Sequence, residues 1–291
     1  MTETLVQDWH GEDVSIAEIE SELAQLRFAI GAAGGPQQRT SVMTHVAWVP
    51  PEWLDVAERT LAGLAERHPS RTVLLVPRAG DVDRLDADLS MRCFPLAGQP
   101  VCGEVVELHL LGNRTLAPAS LVLPLVITDL PVFLRWRGEP DFAGTQWQQL
   151  VDVADRVIVD SSEWGELAYA ELAQSFPSSA ISDIAWARTF PWRAELARCW
   201  PGIREQEIRI RGPRAEATLL RGWLNARLDR AIRPIEPAGE LGVRLGNEDL
   251  RAPRVAELTP SDLLSAQLDA FARDPIYEEA VLAAAELSAA T

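Results

Sequence analysis

The stretches SLVLPLVITDLPVFLRWRG, residues 120–138, and DRVIVDSSEW, residues 155–164, carry the strongest fold signal in this chain. The first half of the earlier stretch is almost continuously apolar, which predicts a buried core segment and not an exposed strand. The tripeptide DLP ends this segment, because proline has no amide donor and restricts the residue before it. The sequence therefore predicts two buried parallel strands, Val132–Trp136 and Arg156–Asp160, that end at the same edge of one sheet.

The segments before these stretches predict a βαβ unit. Ser15–Ile30 carries apolar residues at helical spacing with glutamates between them, which indicates an amphipathic helix. Gly31–Pro36 ends this helix as a flexible link, since glycine and proline interrupt helices. A strand at Thr40–Val49, a helix at Pro51–Arg67 and a strand at Arg71–Val76 follow. A strand, a helix and a strand of this length require a parallel sheet with a right-handed crossover.

The remaining segments continue the alternation of strands and helices. Up to the second stretch, the sequence predicts two strands within Ser90–Gly112 joined at Gly98–Pro100, a helix from Leu116 and a helix at Gln146–Val153. Beyond it, the predicted helices are Glu166–Phe176, Ile184–Trp200, Ala215–Arg230 and Ser261–Ala290, and the predicted strands are Gln206–Arg211, Glu240–Leu245 and Leu250–Leu258. Pro191 is expected to restart a helix, and Ser261 is expected to cap the last one.

These elements predict an α/β fold with two domains. Residues 1–162 form an N-terminal Rossmann-like domain, with a parallel or mixed sheet, flanking helices and the N-terminal amphipathic helix. Residues 163–291 form a smaller C-terminal α/β domain, and the boundary is placed near Ser161–Glu166. A chain of 291 residues with 47% hydrophobic residues is long enough for two ordinary cores.

The charge of the chain argues against two classes of partner. Its formal net charge of −16 repels nucleic-acid backbones and anionic membrane faces, and no basic cluster offsets this charge. The N-terminus is acidic and polar, unlike a secretory signal. The longest apolar run is interrupted and is shorter than the roughly 20 residues that span a bilayer. We therefore expect a soluble cytoplasmic protein with no nucleic-acid or membrane partner.

The sequence lacks the motifs of the common enzyme classes. All 27 basic side chains are arginine, which excludes a GxxxxGK[ST] phosphate loop, a Schiff-base lysine and a lysine general base. Neither GxSxG nor GxGxxG occurs. His10, His45, His68 and His109 lack metal-ligand spacing, and we predict structural or surface roles for them in a tail, a strand, a helix end and a strand. We expect no enzyme activity, no catalytic residue, no metal and no cofactor.

The quoted stretches are part of a longer ordered set of motifs. PLxxxDLPVxLxW ends at Trp136, DRVIVDS ends at Ser161, and WxRxxPWR spans Trp186–Arg193. HPSRTVLLVPR, VCGEVVELHLLG, LLRGWLNARL and QLDAFARDPIYEEAVLAAAEL occur in the expected order around them. From about Glu12 onward, the chain resembles the glucose-6-phosphate dehydrogenase assembly proteins, the OpcA family. The resemblance implies a noncatalytic partner that promotes assembly and activity of glucose-6-phosphate dehydrogenase, the entry enzyme of the oxidative pentose phosphate pathway.

Asp160 and Ser161 have two interpretations. They follow a predicted strand of a parallel sheet, and ligands bind at the carboxyl ends of such strands. In that position they would hold a sugar phosphate or a partner loop. Alternatively, they cap the segment at Glu163, which is the interpretation we prefer. The alternative function, a sugar-phosphate or nucleotide sensor, depends on the first interpretation.

Three of the ten tryptophans lie next to arginines in two clusters. Both residue types are enriched at interface hot spots, although the same side chains also pack domain interiors. The first cluster contains Arg135, Trp136 and Arg137, and the second contains Trp186, Arg188, Trp192 and Arg193. Together with Asp160 and Ser161, they form the candidate partner-binding set. We expect Arg137 to contact the dehydrogenase and Trp192 to pack inside the protein.

The three cysteines do not suggest a metal site. Cys93, Cys102 and Cys199 lack metal-ligand spacing, and their odd number argues against a disulfide framework. Cys93 and Cys102 are positioned to face each other across the predicted hairpin around Gly98. We nevertheless predict buried free thiols.

Overall fold

The computed structural model describes residues 5–32, 41–64, 67–96, 99–251 and 258–289. The chain divides into two compact units. The first comprises residues up to Ile158 together with Pro260–Phe271, and the second comprises Val159–Thr259 together with residues from Ala272 onward. Within the described ranges, no helix combines the length and the apolar character that a membrane crossing requires.

The first unit is built on a mixed sheet. Its strands are β1 (Leu5–Gly11), β2 (Thr44–Trp48), β3 (Arg71–Arg78), β4 (Arg84–Leu96), β5 (Gln99–Leu111), β6 (Val132–Trp136) and β7 (Arg156–Val159). They are hydrogen-bonded in the order β1-β4-β5-β3-β2-β6-β7. Strands β5, β3, β2, β6 and β7 run parallel, whereas β1, β4 and β5 pair antiparallel. The predicted α/β class, the parallel βαβ unit and the buried parallel strands β6 and β7 are confirmed.

The α-helices of the described residues overlap the predicted helical segments, and the predicted helix Ile184–Trp200 is divided into two. In chain order they are α1 (Ile16–Ala32), α2 (Leu54–Ala62), α3 (Pro118–Val122), α4 (Thr145–Val153), α5 (Tyr169–Ala173), α6 (Ile184–Arg188), α7 (Phe190–Arg198), α8 (Arg214–Leu228), α9 (Pro260–Leu268) and α10 (Pro275–Ala289). A capping box starts α1, because Glu18 accepts a 2.7 Å hydrogen bond from the Ser15 amide and the Glu18 amide donates to Ser15 Oγ at 3.3 Å.

Helix α9 packs on α2 in the first unit. The hydroxyl of Ser261 donates to the carbonyl oxygen of Thr60 at 2.8 Å. Nearby, His68 Nε2 lies 2.7 Å from Ser265 Oγ. Ser261 thus lies inside α9 and binds the neighbouring helix, so its predicted role as a helix cap is wrong.

The second unit contains a small sheet of its own. The strands of this sheet are β9 (Ile208–Gly212), β10 (Glu236–Pro237), β11 (Gly242–Leu245) and β12 (Glu248–Asp249), in the order β10-β9-β11-β12. The strand β8 (Ala180–Asp183) precedes them in the chain and is not part of this sheet. The core includes Trp192, Leu196, Ile208, Ile210 and Leu220. Helix α8 packs against α10 at Gly222, where an added Cβ would lie 2.3 Å from the carbonyl oxygen of Ala280. This close approach requires glycine.

The predicted N-terminal tail and the predicted last helix differ from the structure. The tail predicted around His10 is the edge strand β1, which pairs with β4 along its whole length despite its polar composition. The predicted helix Ser261–Ala290 is divided into α9 and α10. Pro275 disfavours helical backbone at the residue before it, and that residue, Asp274, caps α10 by accepting hydrogen bonds from two backbone amides.

Other parts of the predicted connections are not described by the structure. Residues 33–36 of the predicted link, Gly98 of the predicted turn and residues 252–257 of the predicted last strand lie outside the described residues. Leu250 and Arg251, which belong to that predicted strand, are not in a strand.

Candidate functional site

The first tryptophan–arginine cluster lies on the parallel strands of the first unit. Trp136 on β6 is the register partner of Trp48 on β2, and their rings stack with centroids 5.0 Å apart. Trp147 on α4 meets the Trp136 ring edge to face at 5.3 Å. The three indoles are buried, so this group packs the interior of the unit.

The arginines beside Trp136 are also buried. Arg135 donates a hydrogen bond to the carbonyl oxygen of Trp136. Arg137 donates to Thr60 Oγ1 at 3.2 Å, and its backbone amide donates to the carbonyl oxygen of Trp48 at 3.0 Å. Both guanidinium groups therefore make contacts inside the first unit.

The second cluster lies around the junction of α6 and α7. The guanidinium of Arg193 lies 3.5 Å from the centroid of the buried Trp186 ring, and its Nε donates to Thr189 Oγ1 at 2.9 Å. Burial lowers the pKa of Arg193 to about 10, and the nearby Asp274 carboxylate opposes this shift. Trp192 belongs to the core of the second unit, as predicted.

Asp160 and Arg188 form an ion pair that links two turns of the second unit. Arg188 Nη2 lies 2.7 Å from Asp160 Oδ2, and Nη1 lies 3.0 Å from Oδ1, which is a bidentate geometry. Arg188 also contacts Glu216 at 3.2 Å. Asp160 accepts a hydrogen bond from the Ser162 amide at 3.2 Å, so it caps the following turn as the preferred interpretation predicts.

Ser161 connects this ion pair to a buried carboxyl group. Its hydroxyl lies 3.0 Å from the hydroxyl of Tyr169, and its amide donates to Asp183 at 3.1 Å. Burial, followed by the negative charge of Asp160, raises the pKa of Asp183 to about 7. Burial also raises the pKa of Tyr169. Within this network, Asp183 is therefore the group whose protonation changes most with pH near neutrality.

The raised pKa of Asp183 predicts a pH-dependent stability. The folded chain binds a proton at Asp183 between the reference pKa of 3.8 and the folded value of about 7, so the free energy of unfolding falls as the pH rises through this window. Asp183→Asn should remove this component, which is on the order of a few kcal/mol. Chemical denaturation at pH 5 and pH 8 measures the difference. Equal pH dependence in wild type and variant would contradict the assignment.

An exposed surface around α7 was not predicted. Phe190 at its start is 63% exposed, and Trp200 just beyond its end is 52% exposed. Arg193 lies 5.6 Å from the Phe190 ring and Arg204 lies 5.2 Å from the Trp200 ring. We call Phe190, Arg193, Trp200 and Arg204 the α7 surface. The sequence places an aromatic residue, Phe190 or Trp200, directly before each of two prolines, but this pattern does not specify exposure.

A disulfide replaces two of the predicted free thiols. Cys93 and Cys102 are register partners on β4 and β5, and their sulfurs are bonded. The prediction of free thiols is therefore wrong for this pair. The odd count was misleading because Cys199, in the second unit, keeps a free thiol.

Four polar side chains converge on one face of the antiparallel strands in the first unit. Asp88 Oδ1 lies 2.7 Å from His10 Nδ1, and Asp88 Oδ2 lies 3.1 Å from His109 Nε2. Glu107 Oε1 lies 3.2 Å from the same nitrogen of His109. His10 and His109, for which structural or surface roles were predicted, are thus brought together by Asp88.

Comparison with known proteins identifies relatives that match part of the chain. Residues 62–174 match the family described as glucose-6-phosphate dehydrogenase subunit N-terminal domain, OpcA type. The chain is 29% identical over 182 residues to the putative OxPP cycle protein OpcA of Synechocystis, and 28% identical over 185 residues to that of Nostoc punctiforme. Each alignment covers 57% of this chain, but only 38% and 39% of the respective relatives. The resemblance predicted from the motifs is confirmed.

Proposed function

Because residues 62–174 carry the OpcA family domain, we propose that this chain is a noncatalytic partner of glucose-6-phosphate dehydrogenase that supports its active assembly. In this role it would serve the oxidative pentose phosphate pathway, to which the names of its relatives refer. The family match carries the proposal. We propose the cytoplasm as the location of the complex.

The proposed mechanism is a shift in an assembly equilibrium. A partner that binds the active assembly of an enzyme more tightly than the inactive form favours the active form by that difference in affinity. No chemistry is required of the partner itself. The absence of lysine from the sequence agrees with such a role, because it removes several common catalytic devices.

The α7 surface supports a protein partner. Exposed aromatic rings next to arginines are the composition of interface hot spots. Phe190 and Trp200 keep more than half of their surface exposed, whereas most tryptophans named above are buried. We propose that the α7 surface contacts the dehydrogenase.

Partner binding by the nine residues selected from the sequence remains a prediction. Seven of them are buried: Arg135, Trp136, Arg137, Asp160, Ser161, Trp186 and Trp192. Arg188 and Arg193 retain exposed atoms. A direct contact with the dehydrogenase is therefore proposed for these two arginines, and an indirect, packing role for the other seven.

The alternative function as a sugar-phosphate or nucleotide sensor is less well supported. The carboxylate of Asp160 is already bound by Arg188 and by Ser162. The hydroxyl of Ser161 lies within hydrogen-bond distance of Tyr169. A ligand at this position would have to displace these contacts, including a bidentate ion pair.

Mixing experiments with the cognate dehydrogenase test the proposal. The chain alone should not oxidise glucose 6-phosphate, but it should raise the maximal rate of the dehydrogenase or lower the substrate concentration for half-maximal rate. Phe190→Ala and Trp200→Ala should each weaken the complex by about tenfold, as expected for interface hot spots. Binding is measured by calorimetry and activation by the rate of NADPH formation.

Phe28→Ala is the matched control for these variants. Phe28 lies on α1 in the first unit and is 80% exposed, so its removal deletes an exposed ring away from the α7 surface. The control should bind like wild type. Turnover by the chain alone would refute the noncatalytic role, and unchanged affinity of both α7 variants would remove this surface from the interface.

A further inference from the structure

The face that holds His10, Asp88, Glu107 and His109 is formed by three adjacent antiparallel strands. Asp88 on β4 is the direct register partner of His10 on β1 and of Glu107 on β5. Because side chains alternate along a strand, Glu107 and His109 point to the same face of β5. The four side chains meet because two strand pairings place them there.

This arrangement brings two carboxyl groups together beside one imidazole nitrogen. Asp88 and Glu107 are directly opposite each other, and like charges at such cross-strand positions destabilise a sheet. Both carboxylates approach the same nitrogen, Nε2 of His109, which carries at most one proton. That proton can make a well-directed hydrogen bond to only one of the two oxygens.

The two distances from the His109 nitrogen to the carboxylate oxygens are those of neighbouring ligand atoms in a metal site. His109 Nε2 lies 3.1 Å from Asp88 Oδ2 and 3.2 Å from Glu107 Oε1. In a tetrahedral zinc site with bonds of about 2.0 to 2.1 Å, neighbouring ligand atoms are about 3.3 Å apart. Among the described residues, these three are the group of histidine, cysteine and acidic side chains whose ligand atoms all lie within 4.8 Å of one another.

We propose that His109, Asp88 and Glu107 bind a divalent transition-metal ion of the zinc class. His109 supplies Nε2, and Asp88 and Glu107 each supply one carboxylate oxygen. His10 is a positioning residue, since its Nδ1 contacts the other oxygen of Asp88 and orients that carboxylate. Three protein ligands leave one position for water.

The ligand set selects the class of ion. Imidazole nitrogen together with carboxylate oxygens suits zinc and its neighbours in the first transition row. Calcium requires six to eight oxygen ligands, and magnesium prefers an octahedron of oxygens, neither of which this face supplies. The ion would link β4 to β5 directly, and it would link β4 to β1 through His10. We therefore expect it to stabilise this edge of the sheet.

Calorimetric titration of the full chain with ZnCl2, after removal of metals with a chelator, tests the proposal. Wild type should bind one zinc ion per chain. Glu107→Gln and His109→Gln should each weaken binding by at least about tenfold, since each removes a ligand while preserving most of the side-chain volume. His10→Ala should weaken binding less than either. The exposed Asp81→Asn, outside the cluster, is the matched control and should bind like wild type.

Two further measurements separate metal binding from folding. The melting temperature of each variant without metal shows whether the variant is folded, and added zinc should raise the melting temperature of wild type but not of Glu107→Gln. Cobalt in place of zinc should give visible absorption bands of a four-coordinate site in wild type, and these bands should be lost in His109→Gln. Absence of zinc binding by wild type, or equal affinity and stoichiometry in the folded variants, overturns the proposal.

Discussion

Replacing Trp192 by alanine is expected to lower the free energy of unfolding of the second unit by about 3 to 5 kcal/mol. Trp192 lies in the core of this unit, together with Leu196 and Ile208. Deleting the indole removes a large apolar surface from the core and leaves a cavity that the surrounding backbone fills only partly. Chemical denaturation followed by circular dichroism measures the loss.

Trp200→Ala provides the matched control. Trp200 is 52% exposed, so its removal should change the free energy of unfolding by less than about 1 kcal/mol. Trp192→Ala should therefore mainly lower stability, and Trp200→Ala should mainly weaken partner binding. Trp192→Ala should affect binding through unfolding, whereas Trp200→Ala should affect binding in a folded chain. Equal losses of stability in both variants would contradict the assignment of core and surface.

Replacing Arg188 by alanine is expected to lower the free energy of unfolding by about 3 kcal/mol. Arg188 is the cation shared by Asp160 and Glu216, whose side chains are only 5% and 9% exposed. Truncation leaves two buried carboxylates without their common partner. The Arg188 side chain is itself 35% exposed, which limits the loss to the lower part of the range for buried pairs.

A second substitution tests whether the uncompensated charge causes this loss. Adding Asp160→Asn to Arg188→Ala removes one negative charge and keeps a residue type that caps helices, so the double variant should be more stable than Arg188→Ala alone. Arg198→Ala removes a 71% exposed partner of Glu195 and should lower stability by less than about 1 kcal/mol. A double variant no more stable than Arg188→Ala would show that the charge is not the cause.

The elements with strong local patterns were predicted from the sequence. The apolar runs of β6 and β7 require burial on both faces, and this fixed them as strands of a parallel sheet. Pro191 lies in the first turn of α7, where its missing amide is not needed, so the start of that helix was also predictable. In each case the determining property belongs to residues close together in the sequence.

The environment of a charged side chain could not be predicted in the same way. Arg137 was expected to reach a partner, but its guanidinium donates to Thr60, a residue of a helix far away in the sequence. Exposure depends on which element packs above the strand, and residue type does not specify this. The exposed Phe190 was missed for the same reason, because the sequence does not distinguish a ring that packs from one that faces solvent.

The cluster around Asp88 depends on tertiary pairing even more strongly. His10 and His109 are almost a hundred residues apart, and they approach only because β1 and β5 flank β4. Metal-ligand spacing in a sequence reveals only ligands that are neighbours on one helix or strand. Ligands contributed by separate strands require the register of the sheet, which the sequence pattern of β1 did not reveal.

Helix α9 belongs to the first unit but follows most of the second unit in the chain, which affects how the chain folds during synthesis. A ribosome makes the whole of Val159–Thr259 before Pro260–Phe271 leaves it, so the first unit stays incomplete while the second is being made. Until then Thr60, Arg67 and His68 lack the partners that α9 supplies. A fragment that stops at Ile158 would lack these α9 contacts permanently, even though it includes most of the matched family region.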